Sequence, residues 1–153
     1  MADPAAADVL ADFLGKVVAG LGLGATVRVE EDDERLVGTL SGEDLELFIG
    51  IDGETIDAVQ YLSQRIIHVR TGEMHRVVVD ADGYRAQRRE TIEHHAQQAA
   101  ADAVLHARPV ALDAMPPADR RLAHEYLRDQ GGVKTHSEGD EPHRHLVVSP
   151  AGA

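Results

Sequence analysis

Pro117-Ala-Asp-Arg-Arg-Leu-Ala-His124-Glu-Tyr-Leu-Arg128, then Gly131-Gly132, then Val133-Lys-Thr-His-Ser-Glu-Gly-Asp-Glu-Pro-His-Arg144, sets out a helix and a hairpin in one run. Pro116 and Pro117 open the helix, because proline is tolerated in a first turn whose N–H groups have no intrahelical acceptor, and Asp119 answers the positive helix end. Arg120 and His124 are four residues apart and share a face, while Leu122, Ala123, Tyr126 and Leu127 form an apolar flank. The pattern predicts an exposed cation and an exposed imidazole pointing the same way. The glycine pair stops the helix, and residues 133–135 and 145–149 read as strands around the turn Ser137-Glu-Gly-Asp-Glu-Pro142.

Upstream of this run the apolar periodicity changes several times. Residues 4–21 read as a helix with Val9, Leu10, Phe13, Leu14, Val17 and Val18 on one face. This opening has small apolar residues but no basic n-region, and Asp3, Asp8 and Asp12 argue against a secretory leader. Residues 25–30 and 36–40 alternate as paired strands around a solvated acidic turn, Glu31-Asp-Asp-Glu34. A short helix over 45–48, Gly50-Ile-Asp-Gly53 and a second helix from 54 to about 70 follow, the latter with Ile56, Val59, Leu62, Ile66 and Ile67 inward. Residues 75–80 make a strand, and Ala81-Asp-Gly83 a short linker. A long helix over 84–107 then offers Ile92, Ala96, Ala99, Ala100, Val104 and Leu105 for burial, and residues 109–112 form a short strand leading to Met115.

Composition narrows the function. At 153 residues the chain holds one ordinary core or two small ones, and 43 % hydrophobic content is that of a globular protein. There is no cysteine, hence no disulfide, no thiol nucleophile and no cysteine zinc site, which fits a cytoplasmic setting. No apolar run approaches membrane-spanning length, so no membrane insertion is expected. The net charge of −12 opposes nucleic-acid binding as a sum but not in its distribution. Residues 1–83 hold 6 Lys and Arg against 17 Asp and Glu; residues 84–153 hold 9 against 10, with seven of the nine histidines. The second half is the expected binding half, and it becomes cationic when its histidines protonate.

Two resemblances fall in order along the chain. Arg120-x-x-x-His124, led by Met115-Pro-Pro and trailed by Thr135-x-Ser137-Glu-Gly-x-Glu-Pro-x-Arg144, resembles the R-3-H domain of the bacterial Jag (SpoIIIJ-associated) proteins. Gly50-Ile-Asp-Gly53 followed by Glu54-Thr-Ile-Asp-Ala-Val-Gln-Tyr-Leu62 resembles the KH domain of the same family. The resemblance implies an α+β chain: a type II KH-like domain over residues 1–80, then a small R-3-H α/β domain with an antiparallel sheet over 84–150. It also implies binding of single-stranded RNA, or single-stranded DNA in its place, a regulatory role linked to cell elongation and division, a small KH-domain protein as partner, and no cofactor. The length leaves no room for the additional N-terminal domain that some members carry.

On this reading an RNA backbone lies over Arg120, Arg121 and His124, flanked by Lys134 and Arg144. Arg120→Ala and His124→Ala then weaken RNA binding without unfolding the protein. The Arg120 alternative is an ordinary ion pair with Asp119 or Glu125. Arg85, Arg88 and Arg89 oppose the dipole at the start of their helix and either lean toward phosphate or pair with Glu90, Glu93 or the acidic first half. Gly50, Ile51, Asp52 and Gly53 present helix N-terminal amides to a phosphate, as KH loops do, or merely connect two helices. Family members commonly carry basic residues between these glycines; here Asp52 stands in the loop and Glu54 follows it, and both repel phosphate.

Two rival classes have their own residues. His136, His143 and His145 supply imidazoles for a metal site across the hairpin, although the His-Glu run at His124 has Arg128 where a second zinc ligand would stand. His94 and His95 are adjacent on a helix and diverge. Neither a phosphate-loop pattern nor a nucleophile elbow is present, so no enzyme is expected. The other rival is an acidic adaptor that docks a basic protein through the first half.

Overall fold

The computed structural model describes residues 5–152, which divide into two compact units, one ending at Arg85 and one beginning at Ala86. Both are mixed α+β. In the first, α1 (Ala6–Leu21) ends at Gly22, whose φ of 66° lets its N–H and that of Leu23 bond back to carbonyls of the last turn. The expected helical start at Pro4 lies outside the described residues. Strands β1 (Ala25–Glu31) and β2 (Leu36–Gly42) pair antiparallel. The Asp32 carboxylate closes their turn by accepting the N–H groups of Glu34 and Arg35, each at 2.9 Å, and those bonds hold its pKa below the usual range.

The third strand, β3 (Val77–Ala81), runs parallel to β2, giving the order β1-β2-β3. A parallel pair requires a crossover, here supplied by α2 (Glu46–Ile49), a 3-10 turn (Ile51–Gly53) and α3 (Glu54–Thr71). Leu10, Leu14, Leu36, Leu40, Phe48, Ile56, Ile67, Val77 and Val79 form the core. At Gly38 on β2 a Cβ would stand 2.5 Å from Leu14 Cδ1, so α1 packs that closely only against glycine. The outer edge of β3 is capped by side chains: Val79 N–H donates to Gln60 Oε1 (2.9 Å), and Arg85 Nε donates to Val79 O (2.7 Å). Leu62, expected inward, is exposed. The buried stripe of α3 is Ile56, Val59, Ser63 and Ile67, and Ser63 enters it because its hydroxyl donates to Val59 O at 2.7 Å.

The second unit contains most of α4 (Tyr84–His106), then β4 (Val110–Ala111), α5 (Pro117–Gln130), β5 (Val133–Glu138) and β6 (His145–Pro150). Its sheet is antiparallel throughout, in the order β4-β6-β5. Ile92, Ala96, Ala99 and Ala103 of α4 and Ala123 and Leu127 of α5 meet Leu146 and Val148 of β6. Val104 and Leu105, expected in this core, are exposed. The buried stripe advances by four, three and four residues from Ile92 to Ala103, so the next two positions turn away from it whatever their hydrophobicity.

Candidate nucleic-acid interface

The structure buries Arg120, against the expectation that it stands on an exposed face. Only 8 % of the residue is accessible, and it lies in the inward stripe of α5 with Ala123 and Leu127. Its Nη1 donates to Met115 O at 2.6 Å, with Glu141 Oε2 at 3.3 Å and Arg144 O at 3.4 Å, and its Nη2 donates to Glu141 Oε1. One guanidinium therefore ties the segment before α5 to the loop between β5 and β6. The pairing alternatives, Asp119 and Glu125, are taken by others. Asp119 accepts from Arg88 Nε and Nη2 at 3.1 and 2.9 Å, and Glu125 accepts from Arg121 Nε at 3.0 Å. The bond from Arg120 holds the Glu141 carboxyl below the usual range, helped by the charges of Arg120 and Arg144, and the bond from Arg121 does the same for Glu125.

Its neighbours on the helix do reach solvent. The Arg121 side chain is 80 % accessible, and His124 is exposed, its Nδ1 sharing a hydrogen bond with the Thr135 hydroxyl of β5. Between them and the sheet lies a cleft of ≈ 400 Å³, with Pro117, Arg120, Arg121 and His124 on the helix side and Thr135, His136, Ser137 and Leu146 on the sheet side. No Asp or Glu is among these residues. Carboxylates stand just outside the lining, where Glu141 pairs with Arg120, Glu125 with Arg121 and Glu138 with His136.

The remaining site residues are dispersed. Lys134 is exposed on β5 and makes no ion pair or side-chain hydrogen bond among the described residues; the same is true of Arg89 on α4. Arg144 is half-buried and donates from Nη1 to Gly139 O at 2.7 Å, which shapes the β5–β6 loop. Arg85 belongs to the first unit, where its guanidinium meets Val79 O, Asp57 Oδ1 (2.9 Å) and Gln60 Oε1 (3.0 Å), so it is an edge cap rather than a free cation. Gly50, Ile51, Asp52 and Gly53 form the tight turn before α3, with Ile51 and Asp52 exposed and Asp52 at φ 54°. A Cβ on Gly53 would lie 2.6 Å from the Tyr84 hydroxyl, and one on Gly50 would collide with Thr55 Oγ1, so local packing already requires both glycines. Their presence alone is therefore no sign of a ligand.

Three of the residues that build the site escape a search for cations: Glu141, the Met115 carbonyl and Thr135. Their signal lay in the flanking run, where Met115, Thr135 and Glu141 all stand in the matched pattern. As for the imidazoles, no group of three His, Cys, Asp or Glu is arranged to hold a metal among the described residues. His136 Nε2 instead meets Glu138 Oε1 at 2.7 Å. No helix is long and apolar enough to cross a membrane among the described residues.

Comparison with known proteins converges on the same unit. Residues 90–150 match the R-3-H domain. Over most of its length the chain resembles proteins named RNA-binding protein KhpB. It is 33 % identical to that of Clostridium symbiosum over 144 residues (93 % of this chain, 65 % of the relative). It is 34 % identical to that of Lactiplantibacillus plantarum over 148 residues (97 % and 46 %), and 30 % identical to that of Bacillus subtilis over 139 residues (90 % and 67 %). The chain thus spans between about half and two thirds of the length of these relatives. An alignment that runs through both units and covers 67 % of the Bacillus subtilis protein leaves one conclusion: this chain belongs to the Jag family, the family of the KhpB proteins.

Proposed function

We propose that the chain binds single-stranded RNA without a chemical step, as a cytoplasmic regulator of the Jag type, and that the contact lies in the cleft between α5 and β5. The observation that carries this reading is a cleft with no Asp or Glu in its lining, flanked by exposed Arg121 and His124. Phosphate contacts require local positive charge, which the Arg121 guanidinium supplies; the guanidinium and the His124 imidazole both offer hydrogen-bond donors and flat surfaces to a nucleotide. Lys134 extends the positive side along β5, and Arg89 stands as a more distant cation. Arg120 acts from behind, through Glu141 and the loop that carries Arg144. The matched relatives are named as RNA-binding proteins, which supports RNA over DNA.

We read residues 1–80 as a KH-like domain and 84–150 as the R-3-H domain. Support for the first is the order helix, hairpin, short helix, Gly-x-x-Gly turn, helix and a strand parallel to β2. Asp52 and Glu54 at the N-terminus of α3 repel phosphate, so this loop contributes little to affinity. A second reading, docking of a protein such as a small KH-domain partner on the first unit, draws on the exposed Tyr61, Leu62 and Val69 of α3.

The test is a fluorescence-anisotropy titration of a mixed-sequence single-stranded RNA pool at low and moderate salt, beside single-stranded DNA and the Arg121→Ala/His124→Ala variant. Salt-sensitive binding to RNA that is lost in the variant supports the proposal. No binding by the wild type, or equal binding by the variant, overturns it and turns attention to the face of α3.

A further inference from the structure

The cleft contains hydrogen-bonding groups that the cations do not account for. β5 is an edge strand, and two bonds fix which of its backbone groups face outward. Ala151 N–H donates to Gly132 O, continuing the β5–β6 register, and Leu112 N–H donates to Leu146 O on the β4 side. Bonded and non-bonded pairs alternate along an antiparallel ladder. Lys134, His136 and Glu138 therefore turn their N–H and C=O toward β6, while Val133, Thr135 and Ser137 turn theirs to the open edge.

The cleft borders that strand at Thr135, His136 and Ser137, with Leu146 of β6 beside them. Side chains of consecutive strand residues point to opposite faces, so the cleft meets these three along the strand's backbone as well as its inner face. No protein group bonds the outward N–H and C=O of Thr135 or Ser137 among the described residues. Such groups call for a ligand or water. Phosphate oxygens only accept, and the outward carbonyls require a donor. A nucleobase edge carries donors and acceptors side by side.

We propose that the outward backbone N–H and C=O groups of Thr135 and Ser137 read the hydrogen-bonding edge of a nucleobase whose phosphate is held by Arg121 and His124. The assignment rests on the RNA-binding reading above and adds base discrimination to it. An added protein strand would also offer alternating donors and acceptors, but a cleft lined by a guanidinium and imidazoles with no Asp or Glu in its lining favours an anionic ligand.

The probes are AMP, GMP, CMP and UMP, with ribose 5-phosphate as the baseless control, titrated into the ¹⁵N-labelled full chain. The amides of Thr135 and Ser137 should shift with the nucleotides and not with the control. The four affinities should spread by about two- to tenfold, the worth of one net hydrogen bond. Ser137→Pro removes an outward N–H at a site where an edge strand tolerates proline, and should collapse the spread while ribose 5-phosphate affinity stays as in the wild type. The wild-type amide shifts decide the matter if that variant does not fold. Equal shifts with the control, an unchanged ranking in folded Ser137→Pro, or protection of these amides by self-association without nucleotide each overturn the inference. Salt-dependent RNA binding with no base ranking would sink this inference alone, whereas absence of RNA binding sinks the parent reading as well.

Discussion

Arg120→Ala should damage the fold of the second unit before it damages any ligand contact, reversing the expectation read from the sequence. The substitution removes the 2.6 Å donor to the half-buried Met115 O, a loss at the lower end of the roughly 1–3 kcal/mol for an unsatisfied buried carbonyl. It also withdraws two methylenes, Cγ and Cδ, of a residue that is 8 % accessible, roughly another 1.5 kcal/mol at about 0.8 kcal/mol per buried CH₂. Against this, alanine recovers up to about 2 kcal/mol of side-chain entropy, and the Glu141 side chain, about half accessible at 52 %, returns to water rather than being stranded as a buried charge. The net loss is about 1–2 kcal/mol. For a unit of this size that corresponds to a fall in melting temperature of roughly 5–15 °C. The assay is amide hydrogen exchange at Leu146 and Val148, which reports this unit alone, with thermal melting of the whole chain beside it. Arg120→Lys should fall between, because one ammonium cannot serve Met115 O and both Glu141 oxygens in fork geometry. Wild-type exchange rates in Arg120→Ala together with lost RNA binding would refute the clamp and restore Arg120 as a direct contact.

The Glu141 carboxyl titrates below its usual range in the folded state, so the stability from its bond to Arg120 is present above about pH 4.5 and is lost as pH falls through the lowered value. Glu141→Gln should therefore lower stability at neutral pH and flatten the acid limb of a pH–melting profile; an unchanged limb would place the acid sensitivity elsewhere. Gly38→Ala should cost about 1–3 kcal/mol, because the added methyl meets Leu14 at 2.5 Å, and urea unfolding that matches wild type would show that α1 shifts freely. Asp52→Asn removes a like charge beside any phosphate at the α3 N-terminus, at a positive φ that asparagine tolerates. It should raise RNA affinity by about two- to threefold at low salt and leave it unchanged at high salt. No gain at any salt would mean that RNA does not approach this loop.

The architecture was legible because local chemistry and hydrophobic period agreed. The Pro116-Pro117 opening and Gly131-Gly132 stop of α5 and the alternation of β1 and β2 each specify an element within a few residues. The same reasoning failed at Leu62, Val104 and Leu105, where hydrophobicity was allowed to outvote the helical period. Ser63 and Ala103 hold the inward positions, one by satisfying its hydroxyl within the helix and the other by being small. Charged residues were harder still. Nothing in the sequence around Arg85 names Val79 O or Gln60 as its partners, because a backbone edge exposed by a parallel crossover exists only once the sheet has formed. The β5 edge is the converse case, since its open N–H and C=O groups belong to no side chain.

Arg-x-x-x-His spacing looks like two ligands on one face, yet helical geometry allows a different division. Four residues advance about 400° around the helix and about 6 Å along it, so His124 is displaced by roughly 40° from Arg120 and by one turn. The buried stripe of α5 contains Arg120, Ala123 and Leu127, which leaves His124 at its rim and Arg121 beyond it. One end of the motif can then be fixed inside by Glu141 and Met115 while the other meets solvent beside Thr135. The spacing couples a structural arginine to an accessible imidazole through one rigid turn, and the same guanidinium fixes the loop whose strands supply the edge of the cleft. A net charge of −12 is compatible with RNA binding on these terms. Arg120 and Glu141 neutralise each other, and Arg121 and His124 flank a cleft with no Asp or Glu in its lining.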